Sequence, residues 1–309
     1  MRRRLLILGA IIAVLLLALP ALAITNGVED TNEDYPAVGQ LLFYDPTAID
    51  PRFDDPGGWF NCTGTLLSST VVLTAGHCSF GIGEDGGANP DGDGGTDVWV
   101  SFLLEPDYTG IASGPFIPGD NAGRYLAWEA ILDTNPTWYR GTARPHPDYV
   151  DAAFFLFDVG VIVLDDPVPT TDVPAVEYGL LPTLGHLDQY FPKKGNKQTF
   201  TPVGYGIQEV VPFFHSVDVR YYATTKIIDG TGVLGLGSGT SIIFSNSPGK
   251  PHQGGTCFGD SGGPIFEGDS NLVVAVTSFG LNQNCVGTGG GYRIDQQDDL
   301  DFINGILSP

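Results

Sequence analysis

Beyond residue 23 the apolar residues of this 309-residue chain fall into runs too short for long helices, and the chain's 43 glycines and 23 prolines break them up. Period-two alternation or brief continuous apolar character marks strands at 35–44, 70–75, 97–104, 158–164, 217–228, 241–244 and 271–279. This pattern predicts an all-β fold. The tail is different: Leu300, Ile303 and Leu307 recur at helical spacing and predict a short C-terminal helix. A Pro-rich stretch at 165–183 interrupts the strands and is the best linker candidate.

The N-terminus "MRRRLLILGAIIAVLLLALPALA" combines three arginines, an apolar run and a small-residue end at Ala21-Leu22-Ala23. Residues 1–23 therefore read as a secretory signal peptide rather than an uncleaved anchor, with Pro20 favouring cleavage. No later stretch is apolar enough to span a bilayer, so a secreted, extracellular protein without membrane association is expected. The net charge of −22 becomes −25 once Arg2, Arg3 and Arg4 are lost. Such acidity disfavours a nucleic-acid partner, which needs a basic face, and reads as a solvated surface. Four cysteines, Cys62, Cys78, Cys257 and Cys285, allow three pairings, of which the simplest is two local bridges, Cys62–Cys78 and Cys257–Cys285. Their spacings do not fit a zinc site, and no metal or cofactor is expected. In the acidic segment 84–97, Asn89, Asp91, Asp93 and Gly94 begin like a calcium loop, but Val100 stands where the closing Glu should be. An acidic surface loop is the preferred reading.

"CFGDSGGP" at 257–264 puts Ser261 within a Gly-x-Ser-x-Gly pattern. An α/β-hydrolase needs a histidine after its serine, and none follows Ser261. Any partner must come from upstream: His77, His146, His186, His215 or His252. His77 ends the apolar run of "VVLTAGHC" beside a cysteine, which suits a rigidly held general base. "TAGHC", "HPDYVDAAFFLFDVGVIVL" and "CFGDSGGP", with "ITNGVEDTNEDYPAVGQL", "PVGYG" and "TSFGLNQNC", resemble the signature segments of the chymotrypsin-like (trypsin-fold) serine proteases, in the same order. The likeness is weak at 79–145 and 166–200, where the chain carries insertions. Gly76 stands where most members have Ala, a change expected to be tolerated.

The resemblance implies two packed antiparallel Greek-key β-barrels, at 24–165 and 184–309, joined by a linker at 166–183. It implies Ser261 as nucleophile, His77 as general base and Asp158, rather than Asp148, Asp151 or Asp165, as the residue orienting His77. The amides of Gly259 and Ser261 would form the oxyanion hole. Asp260, beside the nucleophile, would pair instead with the α-ammonium of a mature N-terminus at Ile24. The specificity pocket would have Gly255 as floor, Gly280 and Gly290 as walls, and Thr256, Ser278 and Phe279 as further lining. An uncharged slot of this kind predicts cleavage after apolar or aromatic side chains. The expected protein is a monomeric serine endopeptidase acting on protein or peptide substrates; the alternatives are an inactive binding module or an esterase on the same fold.

Overall fold

Two antiparallel sheets hold the strands of the computed structural model, which describes residues 24–49, 56–83, 95–111, 121–153, 155–191, 197–210, 214–230, 239–247 and 253–308. The strands are β1 (Val28–Glu29), β2 (Val38–Asp45), β3 (Gly58–Ser68), β4 (Val71–Thr74), β5 (Val98–Ser101), β6 (Tyr139–Pro145), β7 (Gly160–Leu164), β8 (Phe200–Gly204), β9 (Tyr221–Tyr222), β10 (Ile227–Asp229), β11 (Ser241–Ser245), β12 (Pro264–Glu267), β13 (Val273–Gly280) and β14 (Thr288–Arg293). In the first half they close into a barrel ordered β2-β3-β4-β7-β6-β5. In the second they form an eight-stranded sheet, β1-β9-β8-β12-β13-β14-β11-β10. This is the expected all-β, two-barrel architecture, and Gln297–Leu307 forms the expected terminal helix.

The barrel closes because its Val, Ile and Leu side chains fit a pleated, largely buried surface. Leu41 of β2 sits opposite Cys62 of β3 and Val100 of β5, and every residue of β4 is buried. One core joins Val38, Leu41, Leu66, Val72 and Ile162 to Val203, Phe266 and Ile303 of the second half. Phe200, Ile242, Phe244 and Val274 form a second core within the larger sheet.

Three features add detail to this outline. The strand read at 217–228 is two short strands, β9 and β10. Val28–Glu29 pairs with β9 and so belongs to the second sheet, although it precedes the barrel strands in the chain. Within the insertion at 79–145, Asn121–Leu132 is an α-helix. Tyr125 and Leu132 are buried on this helix, and Trp128 packs with Trp59, Trp99, Ile111 and Trp138.

The linker candidate is pinned at both ends. Val168 N–H donates to the Ser69 carbonyl, and Leu180 bridges to Leu272. Arg220 ties the halves more firmly: its Nε donates to Asp30 Oδ2 at 2.7 Å, and its Nη1 donates to the carbonyls of Val38 and Phe102. Both charges are fully buried, and losing one partner of such a pair costs about 3–5 kcal/mol.

Candidate active site

β4 ends at Thr74, and the chain turns through the 3-10 segment Gly76–Cys78. A Cys62–Cys78 disulfide ties this turn to β3, which fixes the backbone on which His77 sits. The ring remains 27 % exposed, open to a reactant on one side. Gly76 does more than tolerate its place. A Cβ there would lie 2.7 Å from Tyr149 Cδ2 and 3.1 Å from the Phe157 carbonyl oxygen, so its absence lets the buried Tyr149 ring lie against the turn.

Asp158 immediately precedes Val159 and β7, with no solvent exposure. An isolated carboxylate there would be costly, but it has three donors. The His77 backbone N–H donates to Oδ1 at 2.9 Å, His77 Nδ1 lies 3.0 Å from both oxygens, and the Ser278 hydroxyl donates to Oδ2. With Nδ1 engaged, Nε2 is left to accept a proton. Burial pulls the His77 pKa down, but the charge and hydrogen bond of Asp158, with a contribution from Asp151, outweigh it and raise the pKa. Phe157, next to Asp158, has a left-handed backbone (φ 54°), and its carbonyl accepts the Val159 N–H. The competing acids lie elsewhere. Asp148 and Asp165 are exposed, and Asp151 accepts from the Tyr149 hydroxyl.

Ser261 lies on a loop whose peptides are held from both halves. The Phe258 carbonyl accepts from Ile207 N–H at 2.7 Å, which turns the N–H of the same trans peptide, that of Gly259, the opposite way. The Gly259 carbonyl accepts from Thr63 Oγ1 at 2.9 Å, and the Ser261 carbonyl from Thr63 N–H at 2.8 Å. Gly259 has φ 95°, and Gly262 has φ 76° with Thr74 Oγ1 only 2.0 Å from where a Cβ would stand, so both positions demand glycine. Among the described residues no hydrogen bond joins Ser261 Oγ to the His77 ring, whose contacts are all to Asp158; this contact commonly shortens only when substrate binds. Thr63, Ile207 and the hydroxyl role of Ser278 are absent from the sequence reading, because their partners are far away in sequence.

Asp260 is fully buried. Its carboxylate accepts from Gly206 N–H and Cys257 N–H, each at 2.8 Å. Burial pushes its pKa up to about 7, against the pull of those two amides. Ile24 is also fully buried, packed with Tyr221 and Ala223, and Thr25 bridges Gly255. With Ala23 attached, the Ile24 nitrogen is an uncharged amide.

A cavity of about 380 Å³ opens beside Ser261. Thr256, Ser278, Phe279 and Gly280 line it, and no ionisable side chain is among its described lining residues. Gly255 and Gly290 are closely covered by neighbouring side chains. Asn246 Oδ1 would be 1.7 Å from a Cβ on Gly255, and the Phe279 ring 2.0 Å from one on Gly290, so these side chains occupy the space both glycines leave. The Thr277 hydroxyl is buried at this cavity with no hydrogen-bond partner among the described residues. The second disulfide, Cys257–Cys285, crosses the cavity's edge.

The other histidines have different surroundings. His146 is buried against Phe157, and desolvation lowers its pKa; His186 Nε2 lies 2.6 Å from Glu267; His215 bridges Glu209; His252 lies outside the described residues. Cys62, His77 and Cys78 cluster at metal-ligand distances, but the two sulfurs are bonded to each other and offer no thiolate. Asn89, Asp91, Asp93 and Gly94 of the calcium-like segment, and the signal segment 1–23, lie outside the described residues. Val100 points into the barrel core, and Asp97 is paired with Arg140.

Comparison with known proteins gives a consistent result. The chain is 25 % identical over 267 residues to Brachyurin of Leptuca pugilator, covering 85 % of this chain and 88 % of that protein. It is also 25 % identical over 269 residues to Serine protease 1 of Drosophila melanogaster, covering 85 % and 77 %. A solved structure described as HL collagenase shares the fold, with TM-score 0.56, 20 % identity, and coverage of 89 % of this chain and 94 % of that one. The family model described as Trypsin matches residues 135–297. Matched over more than half its length, the chain belongs to the trypsin family of serine proteases.

Proposed function

We propose that the chain is a secreted serine endopeptidase in which Ser261, His77 and Asp158 act together. The observation that carries this reading is the buried Asp158 carboxylate, which takes both the ring and the backbone of His77 as donors. Ser261 Oγ attacks the peptide carbonyl carbon while His77 Nε2 takes its proton. The oxygen of the tetrahedral intermediate accepts from the Gly259 and Ser261 amides, a contribution of about 3 kcal/mol per donor. Collapse expels the amine, which takes the proton from His77 and leaves an acyl-Ser261. Water, deprotonated by His77, then attacks the acyl carbon; the bond to Ser261 Oγ breaks, Oγ takes the proton back from His77, and the acid is released. Asp158 holds the imidazole in place and stabilises the imidazolium.

The uncharged lining beside Ser261 supports cleavage after apolar or aromatic side chains. Two disulfides fit an oxidising compartment, in line with the N-terminal signal segment. Cleavage after Ala23 would give Ile24 a free ammonium as partner for Asp260. Digestion of a peptide library, with mass-spectrometric mapping of cut sites, tests the specificity reading. Cuts after Phe, Tyr and Leu are expected. A map dominated by cuts after Lys or Arg overturns it, and hydrolysis of simple esters without any peptide cleavage would make the chain an esterase.

A further inference from the structure

A second cavity, of about 460 Å³, opens on the other side of the nucleophile loop. It meets the cavity beside Ser261 at Phe258, which lines both, and it reaches Gly259. A peptide whose acyl-side residue fills the first cavity, with its carbonyl over the Gly259 amide, continues past Phe258 into the second. The second cavity is aromatic and unusually open for apolar surface. Phe60, Phe214 and Phe258, all at its rim, are 45 %, 68 % and 54 % exposed. Clustered exposed aromatics of this kind mark binding surfaces. The far wall comes from the insertion: Trp128 of the helix Asn121–Leu132, with Tyr108 and Ile111 just before it.

Resting on the reading above, we propose that the inserted segment builds the leaving-group side of the substrate cleft, which selects a bulky apolar residue shortly after the scissile bond and a basic residue farther along. The second half of that preference follows from charge. Tyr108 and Asp218 also line a third cavity, of about 830 Å³, so the cleft continues there. Its carboxylates are Glu29, Glu105, Asp107 and Asp218; no Lys or Arg is among its described lining residues. Where low-dielectric walls focus one sign of charge, a Lys or Arg of the substrate is drawn in and an acid repelled. The occupant is thus an extended polypeptide rather than a short amide.

The test compares quenched fluorescent peptides sharing one acyl-side sequence and differing after the scissile bond, alongside an anilide with the same acyl side and no peptide beyond it. Leaving-side Phe or Leu followed by Lys should exceed Ala followed by Asp by about tenfold or more in kcat/KM. In Phe214→Ala, an exposed position whose truncation spares the core, the ratio of peptide to anilide kcat/KM should fall several-fold; Glu105→Gln should reduce only the preference for Lys. Turnover of the anilide with no leaving-side preference overturns this inference and leaves the serine protease reading standing. Failure to hydrolyse any of the substrates overturns both.

Discussion

Asp260 offers a quantitative test of what a buried carboxylate does beside Ser261. In the chain still carrying Ala23, burial holds its pKa at about 7 against its ordinary 3.8. The gap of roughly three units corresponds to about 4 kcal/mol at 1.36 kcal/mol per unit, an upper figure for the cost of ionising Asp260 in the fold. Between those two values the folded chain keeps a proton that the unfolded chain has released, so stability falls as pH rises from about 4 to 7. Asn at 260 cannot titrate. It also replaces one acceptor for the Gly206 and Cys257 amides with a donor, which adds a constant offset but no slope. Urea titrations of Asp260 and Asp260→Asn chains, both in a Ser261→Ala background, should therefore show wild type losing up to about 4 kcal/mol relative to the variant between pH 4 and pH 8. After cleavage between Ala23 and Ile24 the relative loss should shrink, because an ammonium opposite Asp260 favours the ionised form. Parallel pH profiles in the two uncleaved chains would refute the burial argument. A slope unchanged by cleavage would refute the pairing with Ile24.

Two further substitutions probe the His77 turn. Asp158→Asn removes the charge that raises the His77 pKa, so the acidic limb of the kcat/KM profile should move to lower pH while kcat falls about 10⁴-fold; a limb that stays in place would mean Asp158 does not set it. Gly76→Ala forces a methyl group against the Tyr149 ring and should cost about 1–3 kcal/mol in chemical denaturation, and an unchanged midpoint would show that the ring moves freely.

Strands with concentrated Val and Ile, such as β4 and β7, could be read directly from the sequence, as could the terminal helix with its three spaced apolar residues. β3, β12 and β14 could not. The stretch "TGGGYR" of β14 looks like a loop, yet its glycines are what allow Phe279, Phe244 and Ile265 to lie directly on the strand. Packing from other strands compensates there for the low propensity of glycine. The helix in the insertion left a usable signal, since Tyr125, Trp128 and Leu132 stand at i, i+3 and i+7, but the glycine and polar residues around them blurred the period. At the site, His77, Asp158, Ser261 and Gly259 each sit in a short motif, which is why the sequence alone singles them out. Asn246 reaches Gly255 and Gly289 from a different strand end, an approach that no local pattern records. The Ser278 hydroxyl donates to Asp158, a contact between positions 120 residues apart that no local pattern reveals.

Acylation of the nucleophile tests the central claim most directly. A serine-directed fluorophosphonate, followed by intact mass and peptide mapping, should add one adduct per folded chain, at Ser261. The adduct should be absent from Ser261→Ala and strongly slowed in His77→Ala, since His77 must take the hydroxyl proton. Peptide hydrolysis should disappear in proportion to labelling. Full peptidase activity in a chain quantitatively labelled at Ser261, or an activity-abolishing adduct at another residue, would contradict the account.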